Sequence, residues 1–238
     1  MKKLEIACSN IQSCLNAWKG GADRIELFEN LPEGGCTPSY GTIKYVKEHI
    51  GIPVYVMIRA RGGDFVYNSE EEQIMLADVN MCLELDVDGI VFGALNLDGT
   101  VNQDLANKIL ETWKYRPATF HRAFDRSVDL FEAAETIISI GFERILTSGG
   151  KATVNEGKET IRQLNEHGTD RIIIMPGSGV TPMNIRYISD YCNTVEMHGT
   201  CKATFQNEEI MFNPIFNDPY SVSDLNCIRQ MLTQFKNN

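Results

Sequence analysis

Residues Gly21–Gly41 read GADRIELFENLPEGGCTPSYG. The run RIELF (24–28) is a short apolar strand with a carboxylate inside it, and the glycine-rich ENLPEGG follows as a loop. A helix start comes next, with Thr37 expected as N-cap and Pro38 at the first helical position. The rest of the chain reads as further versions of this strand–loop–helix unit. Strand-like runs recur as LEIAC (4–8), VYVMIR (54–59), GIVFGAL (89–95), ATFHRAF (118–124), RILTSG (144–149), RIIIMPG (171–177) and TVEMHG (194–199). Between them lie segments of helical periodicity, such as Ile11, Leu15 and Trp18, or Ile74, Ala77 and Met81. Gly21, Gly141 and Gly168 fall where three helices should end. Strands alternating with helices imply parallel strands joined by crossovers. Eight such units in 238 residues fit an α/β fold of the (β/α)8 TIM-barrel type better than a doubly wound sheet. The expected organisation is one domain over 1–238, with an irregular excursion at about 202–222 before a C-terminal helix.

Composition narrows the function classes. The chain is 43% apolar and 23% charged, with a formal charge of -10. Such acidity argues against nucleic acid as a partner, which needs phosphate neutralisation, and against an anionic membrane surface. The opening MKKLEIACSN turns polar too soon for the apolar core of an export signal. The seven cysteines are scattered, with no C-x-x-C pair. Free thiols in the cytoplasm are therefore expected.

Alternation along barrel strands separates helix-facing from interior positions. It places Glu5 and Ala7, Glu26 and Phe28, Tyr55, Met57 and Arg59, and Glu196 and His198 inside. In ATFHRAF either His121 or Arg122 must point in. Cys8 falls on the helix-facing side of its strand. Unpaired buried charge is costly, so these groups must pair or meet water at the mouth. One reading is a charge-balanced network closing the barrel bottom, which suits Glu5. The other is a functional mouth, which suits Arg59, His121 and His198; Glu26 fits either.

The loops after the strands carry the remaining candidates. Arg59 and Arg61, in RARGGD, suit a carboxylate or phosphate, or else pair with Asp64 and a neighbouring glutamate. His121 and Asp125, in HRAFD, are either proton-transfer partners or, for Asp125, a cap of the fifth helix. Ser148 and Gly149 in TSGG, Gly177, Ser178 and Gly179 in PGSG, and Gly199 in HGT either bring backbone N–H groups to an anion or make tight turns. No H-E-x-x-H or H-x-H metal spacing is present. Soft thiolate and thioether ligands would suit Cu(I), but Cys8, Met57, Met175 and Cys201, near strand ends, read first as packing.

Taken together, IELxENLxEGGxTPSYG, PVYVMIRxRGGDFVY, DGIVFGAL, TFHRAFD, RILTSGG and RIIIMPGSGV resemble the copper homeostasis protein CutC family, in order from Leu4 to about His198. The resemblance implies a TIM-type barrel, a cytoplasmic homodimer or larger homo-oligomer, and a role in copper tolerance or trafficking with Cu(I) as the ion. It also implies a copper ligand at Cys8, whose family partner position holds Phe28 here. Phenylalanine cannot ligate a metal; Cys36, in the following loop, is the nearest substitute. The alternative from the residues themselves is an enzyme acting on a small anionic or phosphorylated metabolite. In that reading Glu26, Arg59, His121, Asp125 and His198 form the catalytic group, and Arg61 with the glycine loops binds the anion. Lyase, isomerase and hydrolase chemistry all fit, with His121 or His198 as general acid/base and Arg59 stabilising developing negative charge.

Overall fold

The computed structural model describes residues 2–205 and 219–236. β1 (Lys3–Cys8) leads to α1 (Ile11–Gly20), β2 (Arg24–Leu27) to α2 (Tyr40–His49), β3 (Val54–Met57) to α3 (Ser69–Glu84) and β4 (Gly89–Phe92) to α4 (Gln103–Thr112). The second half repeats the pattern: β5 (Ala118–Phe120), α5 (Leu130–Ile140), β6 (Arg144–Thr147), α6 (Val154–His167), β7 (Ile173–Pro176), α7 (Ile185–Cys192) and β8 (Glu196–Gly199). An antiparallel ribbon, β9 (Lys202–Phe205) with β10 (Tyr220–Ser223), precedes α8 (Leu225–Lys236).

The eight parallel strands run in the order β7-β6-β5-β4-β3-β2-β1-β8. They form a nearly closed (β/α)8 barrel, as the alternating pattern predicts. The two ends of the sheet meet where Gly177, just past β7, lies against β8: a Cβ there would stand 3.3 Å from that of His198. Outward-facing residues of the strands, including Ile6, Ile25, Val56, Ile90, Phe120, Ile145 and Met197, pack against the helices in one large core. A smaller apolar cluster, Ala7, Phe28, Tyr55, Met57 and Val91, lies inside the barrel. No described helix is long and apolar enough to cross a membrane.

Local chemistry explains the helix boundaries, with one correction. Ser39, not Thr37, is the N-cap of α2, accepting from the Thr42 N–H at 3.2 Å. Thr37 instead exchanges hydrogen bonds with the Arg59 backbone (2.9 and 3.3 Å), which ties the loop after β2 to the end of β3. Asn10, Asn68, Asn102 and Asp129 cap α1, α3, α4 and α5. Gly21 and Gly141 end their helices in the left-handed region, at φ 89° and 104°.

The helix faces also differ from the periodicity reading. α1 buries Ser13, Cys14, Ala17 and Gly20 and leaves Trp18 at 41% exposure; α3 buries Met75, Val79 and Cys82 and leaves Ile74 exposed. Close approach between neighbouring elements selects small residues at the contact line. Gly20 illustrates it, since a Cβ there would sit 2.6 Å from Ile228 of α8.

The stretch expected to be irregular, 202–222, has paired ends. β10 is fastened beside the barrel by Asn10 Nδ2 to Ser221 O (2.7 Å), Asn16 Nδ2 to Ser223 O (2.8 Å) and Ser223 Oγ to Ala7 O (3.1 Å). Residues 206–218 of that stretch lie outside the described residues.

Candidate functional site

The inward residues of β1, β2, β6 and β8 build a continuous row of buried charge. Arg24 donates to Glu5 through Nε and to Glu196 through Nη2 (2.7 Å), and Arg144 Nε reaches the same Glu196 oxygen at 3.1 Å. Both guanidiniums stack on the Tyr55 ring, at 4.7 and 5.2 Å from its centre. Gly89 makes room for that ring: a Cβ there would lie 2.5 Å from it. Glu5 also faces His198, whose Nδ1 is 2.8 Å from Glu5 Oε1, while His198 Nε2 lies 3.6 Å from Glu26 Oε2. Glu5 therefore belongs both to the arginine network below and to the imidazole above.

Above this row a cavity of about 500 Å³ opens at the C-terminal ends of the strands. Ala7, Phe28, Met57 and Leu146 give it apolar walls, while Glu26, His121, Arg122 and His198 contribute its polar groups. Mostly apolar surface with a few convergent polar groups is the usual constitution of a small-ligand site. Among the described residues, two of these groups have buried atoms with no hydrogen-bond partner, namely Glu26 Oε1 and His121 Nε2.

The protonation states follow from burial and neighbours. Burial is the largest influence on Glu5, and raises its pKa, but Arg24 and His198 outweigh it and hold the carboxyl well below the usual range. Burial pushes the Glu26 carboxyl up to about 7, with the Glu5 charge adding to it and His198 opposing. Burial opposes protonation of His198 too, yet the Glu26 charge and the Glu5 hydrogen bond keep its pKa above the ordinary value. His121 is pushed down to about 3 by burial and by the nearby Arg59 charge. It is neutral at pH 7, and its Nδ1 accepts from Ala123 N–H at 3.1 Å. The ring proton then sits on Nε2, a donor with no acceptor among the described residues, on a ring that lines the cavity.

The structure thus brings together Glu26, His121 and His198 around one cavity, rimmed by Ser178, Gly179 and Gly199. Gly177 lies behind the wall against Leu146. The other candidates stand elsewhere. Arg59 is buried with its guanidinium donating to the carbonyls of Glu33 (2.9 Å), Gly35 (2.8 Å) and Gly63 (2.9 Å) and stacked on Phe65, so it fastens two loops rather than facing the cavity. Arg61 pairs with Glu71 (2.5 Å) and Asp64 (3.1 Å) on the outer side. Asp129, not Asp125, caps α5; Asp125 instead accepts from Thr147, from Ser148, from the Gly150 N–H and from Arg122. That carboxylate orders the loop after β6, where Ser148 is buried and Gly149 packs on the Gly157 backbone.

Alternation alone points to Glu5, Glu26, Glu196 and His198; Arg24 and Arg144 are further buried members of the row that the strand runs do not single out. Each sits at the start of its strand on the same parity as an interior residue, Glu26 or Leu146, and that parity was the available signal. One metal-type grouping was also not visible in linear spacing: Glu5, Glu26 and His198 offer ligand atoms within 4.8 Å of one another. Its oxygen and nitrogen donors, already engaged with Arg24 and with each other, are not the soft set that Cu(I) takes.

A barrel with an acid–imidazole row under an apolar mouth defines a TIM-barrel protein with a candidate site at the strand C-termini, where this fold carries its chemistry. The chain belongs to the CutC family, whose model matches residues 2–203. It is 39% identical to a human protein named copper homeostasis protein cutC homolog, over 98% of this chain and 89% of that one. A CutC family protein of Xylella fastidiosa is 38% identical over 96% of this chain and 87% of its own length. A crystal structure of CutC from Streptococcus agalactiae superposes with a TM-score of 0.81 at 36% identity, covering 84% of this chain and 99% of that one. A thiamine phosphate pyrophosphorylase of Pyrococcus furiosus, at 14% identity and a TM-score of 0.63, shares the fold alone.

Proposed function

We propose that this protein serves copper homeostasis, as a cytoplasmic homo-oligomer. The reading is carried by the family match across the barrel and by relatives of nearly equal length whose names assign them that role. Deleting the gene in its source organism and plating on graded copper tests it. The deletion is expected to change copper tolerance and the wild-type gene to restore it; identical growth at every copper concentration would refute the proposal.

The pair of positions that the family resemblance points to does not fit Cu(I). Phe28 has no donor atom and stands on the cavity side of β2. Cys8 is buried on the helix side, with its thiol 3.5 Å from Ile6 O and pushed well up by burial and by Cys14. Cys36 lies on the loop after β2, bridged to Glu29.

A second reading is favoured by the partnerless Glu26 Oε1 and His121 Nε2 in the cavity. In it the mouth binds a small anionic metabolite, His121 donates a hydrogen bond to it, and Glu26 with His198 exchanges a proton with it. A thermal-shift screen against sugar phosphates and small carboxylates tests this reading. A bound anion should raise the melting temperature of the wild type and not that of His198→Gln. No shift with any anion would sink it.

A further inference from the structure

The two buried atoms of the mouth cavity that have no partner among the described residues are of opposite kinds. Glu26 Oε1 is an acceptor once its carboxyl is ionised, and His121 Nε2–H is a donor on a neutral ring. Both residues are only 4% exposed. An unpaired buried polar atom is costly, so each calls for a ligand atom of the complementary kind.

The fold fixes the state of both groups. Glu26 projects inward from β2, and its other oxygen, Oε2, lies 3.6 Å from His198 Nε2. His198 is in turn held at Nδ1 by Glu5 Oε1, 2.8 Å away. His121 follows β5, and its ring packs on Phe65 with 5.0 Å between ring centres. Gly93, just past β4, makes the place for that ring, since a Cβ there would stand 2.5 Å from His121 Nδ1. The ring cannot exchange its two nitrogens without giving up the hydrogen bond from Ala123 N–H to Nδ1.

The other lining residues narrow the chemistry. Glu26 is the one carboxylate among the described residues of the cavity wall, so the paired acids of glycoside hydrolysis do not face each other there. A single carboxylate and a neutral imidazole donor on mostly apolar walls suit removal of a proton from carbon beside a carbonyl. The base takes the proton, and the donor holds the oxygen on which charge gathers. Lys202, exposed on β9, adds positive charge at the mouth for an anionic tail.

We propose that the mouth cavity enolises a small carbonyl compound, with Glu26 as the base and His121 as the donor to the enolate oxygen. The C–H bond beside the carbonyl breaks and its proton passes to Glu26. The electron pair becomes a C=C bond, and the carbonyl π pair moves onto oxygen, which accepts from His121 Nε2–H. Return of the proton to the same carbon restores the substrate and the carboxylate. Where that carbon carries a hydroxyl, the hydroxyl proton passes to the enolate oxygen and Glu26 protonates the former carbonyl carbon, giving the isomeric carbonyl compound. No electron leaves the substrate and no co-reactant is needed. Burial raises the Glu26 carboxyl to about 7 and keeps His121 neutral, so base and donor coexist at neutral pH. The inference rests on the anionic-metabolite reading for the charge of the ligand and adds its reacting group.

The test places the full-length protein in D2O with dihydroxyacetone phosphate, xylulose phosphate, pyruvate and oxoglutarate, and with uncharged dihydroxyacetone and xylulose. Proton NMR follows loss of the C–H signal beside the carbonyl and the appearance of an isomer, while the melting temperature with each probe reports binding separately. Wild type is expected to exchange at least one charged probe. Glu26→Gln should slow that exchange by roughly 100-fold or more, the scale of a lost general base. His121→Asn keeps an acceptor for Ala123 N–H but lacks the Nε2 donor, and should also lose roughly 100-fold. A rise in melting temperature with the same probe shows that a variant is folded and loaded. Glu26→Gln keeps the shape of the side chain and decides the matter if His121→Asn is unstable. Exchange of no probe above the protein-free rate would overturn the proposal, as would exchange undiminished in Glu26→Gln. A charged probe that raises the melting temperature while none is exchanged removes the enolisation and leaves the anion-binding reading standing. Exchange of the uncharged probes alone, with no charged probe bound, keeps the enolisation and removes that reading.

Discussion

Replacing Arg24 with leucine tests the buried charge row directly. Arg24 is 4% exposed and bridges Glu5 and Glu196, themselves 1% and 2% exposed. Removing one partner of a buried pair strands a charge and typically costs about 3–5 kcal/mol, whereas replacing the whole pair is often nearly neutral. Here Arg144 still holds Glu196 at 3.1 Å and His198 still holds Glu5 at 2.8 Å, so the expected loss lies near the low end, about 3 kcal/mol. In a chain of this size that is a fall of roughly 6–12 °C in melting temperature. The loss should also depend on pH. The depressed Glu5 pKa contributes stability that is present above the unfolded value of 4.5 and lost as pH falls through the folded value below it. The variant should therefore differ most from wild type at neutral pH and least near pH 3. Urea or thermal unfolding of wild type, Arg24→Leu and Arg24→Leu/Glu5→Gln at pH 7 and pH 3 gives the comparison. The double variant is expected to recover part of the loss. A single variant within about 1 kcal/mol of wild type at pH 7, or a double variant less stable than the single, would refute the assignment of this row as a coupled buried network.

Two other perturbations have directions set by the geometry. Glu26, with its pKa raised from 4.5 to about 7, binds more protons folded than unfolded between those values, so its contribution to stability is present below pH 4.5 and lost as pH rises to about 7; Glu26→Gln should flatten that decline in a pH series of melting temperatures, and an unchanged slope would contradict the assigned environment. Gly157→Ala would place a Cβ 1.8 Å from Ser148 O and 3.1 Å from Gly149 Cα, backbone that cannot step aside, so a loss at or above the usual overpacking range of about 1–3 kcal/mol is expected by denaturant unfolding, and a neutral result would mean that the loop after β6 is not packed on α6 as described.

How far the sequence reached depended on whether a property is periodic. Strand positions and their inward parity were legible because side chains alternate strictly along a strand, and Glu26, Glu196 and His198 stand where that alternation puts them. Helix faces were less legible: in α1 and α3 the contact line goes to Cys14, Ala17 and Met75 rather than to Trp18 and Ile74, because the spacing between packed elements, not hydrophobicity, chooses the residue at closest approach. Arg59 and Asp125 carried the chemistry of an active site in the sequence. In the fold their charges are spent on carbonyls and N–H groups of neighbouring loops, a demand set by backbone polar groups that no local pattern reveals.

The sequence by itself determined the eight-unit barrel, the family, and the fact that carboxylates and imidazoles are buried within it, since periodicity and motif order are properties of the chain alone. Only the tertiary structure decided which of those groups meet. His198 lies between Glu5, at the other end of the chain, and Glu26, and Cys201 stands beside Cys227 and Met231 across a helix connection. The physical reason is closure. Joining β8 to β1 brings residues nearly two hundred positions apart into hydrogen-bonding distance, and folding α8 back places its Cys227 at the rim of the same cavity.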